Sequence, residues 1–116
     1  MIDDEAFTVT AYDSDAGPVL ACEGELDLDT APQLTAALEK ALAARPAVLH
    51  IDLKAVDFIS SSGLNVLLRT RLATEESGCV LRLSRPSQAA THLLDITGTT
   101  KVFTVTADVP DPRAVL

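Results

Sequence analysis

Ser60, Ser61 and Ser62 stand in a row, followed by Gly63 and the apolar Leu64. Hydroxyls in such a run can cap a helix, act as a nucleophile, or accept a group delivered by another protein's active site. A serine nucleophile needs a base to take its proton. No GxSxG elbow surrounds these serines, and neither His50 nor His92 has an argued position beside them. A small hydrolase is therefore the weakest of the three readings. A second stretch with chemical content is "GELDLDT", residues 24–30, which offers Asp27 and Asp29. Asp29 suits a helix N-terminus as a favourable charge. Asp27 follows inward-looking Leu26 and is not required as a cap if Thr30 serves, so it is a candidate for the surface around the serines.

The remaining reactive residue types point elsewhere. Cys22 and Cys79 each lie in an apolar run, with no CxxC pair and no neighbouring His. They are expected to be buried thiols in a reduced compartment, and no metal site is expected. His50 lies in the strand-like "VLHIDL" and His92 on a helical stretch, both as structural residues.

Hydrophobic periodicity supplies the elements that must position these residues. Strands are expected at Phe7–Tyr12, Val19–Gly24, Val48–Leu53, Cys79–Ser84 and Lys101–Thr106. "DSDAGP" supplies turn chemistry between the first two, which pair as a hairpin. A first helix opens at Thr30, with Gln33 at capping-box spacing, and carries Leu34, Ala37, Leu38, Ala41 and Leu42 inward until Arg45-Pro46. A second helix presents Leu64, Leu67, Leu68 and Leu72 on one face and ends near Gly78. A third is capped by Ser87, turns Ala90, Leu93 and Leu94 inward and has Gly98 just past its end. The fold class is α/β in β-β-α-β-α-β-α-β order: a mixed, mostly parallel sheet of about five strands covered by helices. Residues 1–116 are expected to form a single domain with its core over 7–106, and 107–116 to be a tail or a short last helix opening at Asp111-Pro112.

With Leu53 expected to close the third strand, the serines fall at the N-terminal junction of a helix, beside the carboxyl end of a strand. Ligands of open α/β sheets collect at that edge. Unpaired backbone N–H groups and about half a positive charge from the helix dipole favour an anion there. A phosphoryl group on a serine would sit on those N–H groups without disrupting the helix. The plain alternative is that a serine is there as an N-cap. Gly63 is expected to leave the backbone open to a partner. Asn65, Arg69 and Arg71, on the outward face of the helix, either extend a contact surface or are merely solvated.

Composition narrows the partners. With 17 acids against 9 bases, the formal net charge is -8. Nucleic acids and anionic membranes reward clustered Lys and Arg, so neither is an expected partner. No apolar run approaches the ~20 residues of a membrane helix. The acidic opening "MIDDEAFTV" lacks the basic and apolar regions of a secretory signal, so a cytoplasmic location is expected.

Three segments carry a resemblance: "GELDLDTAPQL", "VLHIDLKAVDFISSSGLNVLL" and "HLLDITG". In this order and spacing, over residues 19–106, the chain resembles the STAS domain of bacterial anti-sigma factor antagonists (anti-anti-sigma factors). The resemblance implies a non-catalytic module, without a cofactor, that binds an anti-sigma factor serine kinase and so releases a sigma factor. It implies that the kinase phosphorylates the residue before the motif glycine, here Ser62, that binding is then lost, and that a serine phosphatase restores it. The resemblance places Asp27, Ser61, Ser62, Gly63 and Leu64 at the partner contact, and with Ser60 of the same loop and Asn65 and Arg69 of the outward helix face these are the expected partner-binding residues. The family motif usually reads Asp-Ser-Ser/Thr-Gly-Leu, whereas this chain has Ser60 in place of the Asp. That removes a carboxylate from the loop and leaves open a STAS scaffold or adaptor without phosphorylation.

Overall fold

The computed structural model describes residues 6–113. Strand β1 (Phe7–Tyr12) forms an antiparallel hairpin with β2 (Val19–Leu26). Helix α1 (Ala31–Ala43) leads to β3 (Val48–Ile59), α2 (Ser61–Ser77) to β4 (Val80–Ser84), and α3 (Gln88–Thr97) through a 3-10 turn to β5 (Thr104–Thr106). The sheet order is β1-β2-β3-β4-β5, with every pair after the first parallel. One core holds Leu20 and Leu26 of β2, Leu49, Ile51 and Leu53 of β3, and Leu83 of β4. Leu34 and Leu38 of α1, Leu67 of α2 and Leu94 of α3 close over it.

Four expectations need correction. Strand β3 does not stop at Leu53 but runs six residues further, to Ile59. Its pairing with β2 slips twice, so that Ala21 and Glu23 face Asp52 and Ala55, and Gly24 and Glu25 face Val56 and Phe58. Each slip inserts an extra residue into β3, a bulge that breaks the alternation of two. The buried residues then fall at Leu53, Val56 and Ile59, three apart, a spacing that does not read as a strand. Secondly, Leu72 is 57% exposed. The inward face of α2 passes instead through Leu67, Thr70 and Thr74, whose hydroxyls donate to Val66 O and Arg71 O, both at 2.8 Å. Satisfied in this way, a threonine can be buried like an apolar residue. Thirdly, the Thr30–Gln33 capping box does not form. Thr30 Oγ1 donates to Glu25 O and accepts from Asp27 N, while Gln33 Nε2 donates to Phe7 O. Finally, β5 is limited to three residues, because Thr100–Val102 coils before it.

The sheet has a second, polar aspect. His50 and Asp52 of β3 sit in register with Arg82 and Ser84 of β4. Asp52 receives both Nη2 and Nε of Arg85, at 2.6 and 3.2 Å. Thr106 Oγ1 donates to Ser84 Oγ, and Tyr12 Oη donates to Pro110 O. Arg113 donates through its backbone to Asp13 O and through Nε to Asp15. The segment after β5 therefore crosses this side of the sheet to reach β1. No helix forms at Asp111-Pro112 within the described residues, and residues 114–116 of that expected helix lie outside them.

Candidate functional site

The serine loop is set by the paired ends of two strands. Leu26 and Ile59 are register partners, and Ser60 N donates to Leu26 O at 2.9 Å. The loops after β2 and β3 thus leave the sheet side by side. Ser60 has extended backbone angles, φ -94° and ψ 175°, and its side chain accepts from Gly63 N. It is the N-cap of α2, and Leu64 N closes the first turn onto its carbonyl at 3.0 Å. A serine at this position therefore does what an aspartate would do, since both are favoured caps. The change from the usual motif leaves the start of the helix built in the ordinary way.

Gly63 is not an opening for a partner. It is buried, and a Cβ there would lie 2.7 Å from Leu26 Cγ and 3.0 Å from Leu26 O. The close approach is made by the chain's own β2, which presses the first turn of α2 onto the strand end. Leu64 is likewise turned into the core, at 5% exposure. Neither residue belongs to the accessible surface, which corrects the expectation that both meet a partner.

Ser61 and Ser62 are the next two residues, in the first turn of α2. Ser61 is exposed and Ser62 half-buried. Ser62 lines a groove of about 420 Å³ between α1 and α2, together with Leu28, Thr35, Glu39, Asn65 and Arg69. Three expected site residues, Ser62, Asn65 and Arg69, therefore come together. Arg71 does not join them; it pairs with Glu75 one turn along α2.

Asp27 is placed beside the loop but is structurally occupied. Its Oδ1 accepts from Asp29 N and Thr30 N, at 3.0 and 3.1 Å. Thus Asp27 ties the turn that starts α1, a task expected of Thr30 alone. Among the described residues no hydrogen bond joins Asp27 to a serine of the loop.

Two large apolar side chains near these loops in the sequence are exposed: Leu28 at 73%, which lines the groove, and Phe58 at 49%. Leu28 sits on the turn that Asp27 rigidifies, and Phe58 is two residues before Ser60. Sequence reasoning passed over both. For Leu28 the available signal was an apolar residue between two aspartates in a strand–helix junction; for Phe58, the bulges of β3 hide its outward direction.

The two histidines and two cysteines stay away from this chemistry. His50 is buried, with Nε2 3.0 Å from Ala16 O, and His92 is exposed on α3. Burial pushes the Cys22 thiol up to about 12 and also raises Cys79. Such thiols are poor nucleophiles at neutral pH. Among the described residues no cluster of His, Cys, Asp or Glu could hold a metal ion, and no helix is long and apolar enough to cross a membrane.

Comparison with known proteins turns this geometry into a family assignment. Residues 9–106 match the family model described as "Mlab, STAS domain". The chain belongs to the STAS domain family. Within it, this STAS domain is similar to the anti-sigma-F factor antagonist RsfB of Mycobacterium tuberculosis. The two are 36% identical over 107 residues, covering 90% of this chain and 87% of the relative. It is also 36% identical to the anti-sigma-B factor antagonist of Bacillus subtilis, over 72% of this chain and 76% of that one. Among solved structures, an anti-sigma factor antagonist from Mycobacterium paratuberculosis superposes with a TM-score of 0.78 at 30% identity. That match covers 94% of this chain and 92% of the other.

Proposed function

We propose that this STAS domain is a cytoplasmic anti-sigma factor antagonist, a non-catalytic module of residues 1–116 with its core over 7–106. It captures an anti-sigma factor that is a serine kinase, and thereby frees a sigma factor. The contact surface is Ser61, Ser62, Asn65 and Arg69 with Leu28 and Phe58, and Asp27 and Ser60 hold its two loops in place. Phosphorylation of Ser62 ends the capture, and a serine phosphatase restores it. In the phosphorylation step the γ-phosphoryl group of ATP moves to Ser62 Oγ. The hydroxyl proton passes to a base of the kinase, and ADP leaves.

The observation that carries this reading is a division of labour between neighbouring serines. Ser60 caps α2, so the half-buried hydroxyl of Ser62 is not needed for that task. The relatives named as anti-sigma-F and anti-sigma-B factor antagonists support the partner class. A phosphoserine carries about -1.5 to -2 charges. At the start of a helix this charge is tolerated by the chain itself. In a docked interface it must be desolvated against whatever the partner presents. A loss of ~3 kcal/mol lowers affinity more than a hundredfold, because each ~1.4 kcal/mol is tenfold.

The test is intact-mass measurement after incubation with ATP and an anti-sigma factor serine kinase. A gain of one phosphate, absent from Ser62→Ala, is expected. An unchanged mass with an active kinase would instead favour a constitutive adaptor. Calorimetry on Ser62→Asp is expected to give weakened kinase binding with the fold intact, and unchanged affinity there would remove charge as the switch.

A further inference from the structure

Ser62, Asn65 and Arg69 are three and seven residues apart on α2, and all three line the groove against α1. Residues three apart are neighbours on a helix surface. Seven residues make about two turns, or ~10 Å of helix axis. Helical side chains lean toward the N-terminus, a bias that favours Arg69 rotamers reaching back along the groove it shares with Asn65 and Ser62. Arg71, Arg85 and Arg113 are engaged with Glu75, Asp52 and Asp15, whereas Arg69 pairs with no carboxylate among the described residues. Arg69 is the single cation lining the groove, and Glu39 the single anion.

We propose that a phosphoryl group on Ser62 is held in cis by Arg69 and Asn65, in the groove between α1 and α2. The guanidinium donates to the phosphate oxygens as a fork, the geometry that suits Arg to phosphate. The Asn65 amide donates from one turn away. Thr35, on the α1 wall, brings a hydroxyl to the same space. Ser61 is exposed and does not line the groove, so a phosphate there would lack this cradle. The modification then changes the surface twice: it adds negative charge, and it withdraws Arg69 from any contact with a partner. This deepens the reading of Ser62 as a phosphoswitch and rests on it.

The clamp can be tested without a kinase. Phosphoserine is encoded at position 62 during translation, and the phosphate of the full chain is titrated by phosphorus NMR. In Arg69→Gln the titration midpoint is expected to rise by about half a pH unit, the size of an exposed ion pair. Arg69→Lys keeps most of the lower midpoint, and Arg71→Gln leaves it unchanged. The difference shrinks in 1 M salt. Coincident midpoints in the parent phosphoprotein and Arg69→Gln overturn the clamp. Kinase binding by the same phosphoprotein separates the two claims. An Arg69-dependent midpoint with binding retained keeps the clamp and removes the switch; lost binding with no Arg69 dependence does the reverse.

Discussion

Asp52 and Ser84 lie on the polar side of the sheet; Ser61 and Ser62 lie at the opening of α2. All four stand next to buried or strand-forming segments, and residue type does not separate Ser84 from the loop serines. Their surroundings do. Asp52 is 7% exposed and holds Arg85 through two hydrogen bonds, and Ser84 is fully buried with its hydroxyl bonded to Thr106. The loop serines face solvent or a groove that Leu28 also lines. On one side the chain uses its polar groups to hold itself together. On the other, Ser61 and Ser62 are left without such partners among the described residues, which is what the proposed capture of an anti-sigma factor requires.

Substitutions should separate the regions sharply. The largest effect is expected from Arg85→Ala, which strands the Asp52 carboxylate. Removing one partner of a buried pair costs about 3–5 kcal/mol. With the Arg85 side chain 35% exposed, roughly 2–3 kcal/mol is the expected loss in a denaturant titration. The same titration on Ser62→Ala should move by no more than about 0.5 kcal/mol. Equal losses at both sites would erase the distinction.

Gly63→Ala comes next, at about 1–3 kcal/mol, because its methyl group would overpack against Leu26. A smaller step is expected at the cap. Ser60→Ala should lower the thermal midpoint in line with ~1 kcal/mol, while Ser60→Asp should hold or raise it. If Ser60→Asp destabilised the chain as much as Ser60→Ala, Ser60 would not be acting as a helix cap.

A last effect is absent at neutral pH and appears only in alkali. Burial raises the Cys22 thiol from 9.0 to about 12, and burial with the Asp52 charge raises Tyr12 above 10.0. Groups raised on folding bind protons more tightly in the folded state. Their stabilisation is complete below about pH 9 and is lost as pH climbs toward 12. Denaturant midpoints should therefore match at pH 7 and 8 and fall between pH 9 and 11. In Cys22→Ala that alkaline fall should be shallower. Thiol reagents at pH 8 should modify Cys22 only after unfolding.

The element order, the hairpin, the parallel pairings and the Ser87 cap of α3 were legible in the sequence, because short elements bounded by Gly, Pro and Ser repeat the periods of two and 3.6. What escaped did so for local reasons. The bulges of β3 replaced alternation by a spacing of three. Thr70 and Thr74 are buried because the backbone of α2 satisfies their hydroxyls, and composition does not announce that. Within the site, the serines and their position at a strand end were visible. Which serine caps was not, since all three are good caps, and the choice belongs to the register of Ser60 against Leu26. Asp27 looked spare because Thr30 seemed sufficient, yet the turn engages both residues.

The stretch from Asp108 to Arg113 passes over the polar side of the sheet and fastens near Tyr12 and Asp13, so the two outermost strands share one belt. A mechanical load applied at Arg113 would enter β1 at its Tyr12 end, opposite the Phe7 end that pairs with Gly24. A cargo tethered at Arg113 would hang beside the turn of the first hairpin, at the strand ends opposite the opening of α2.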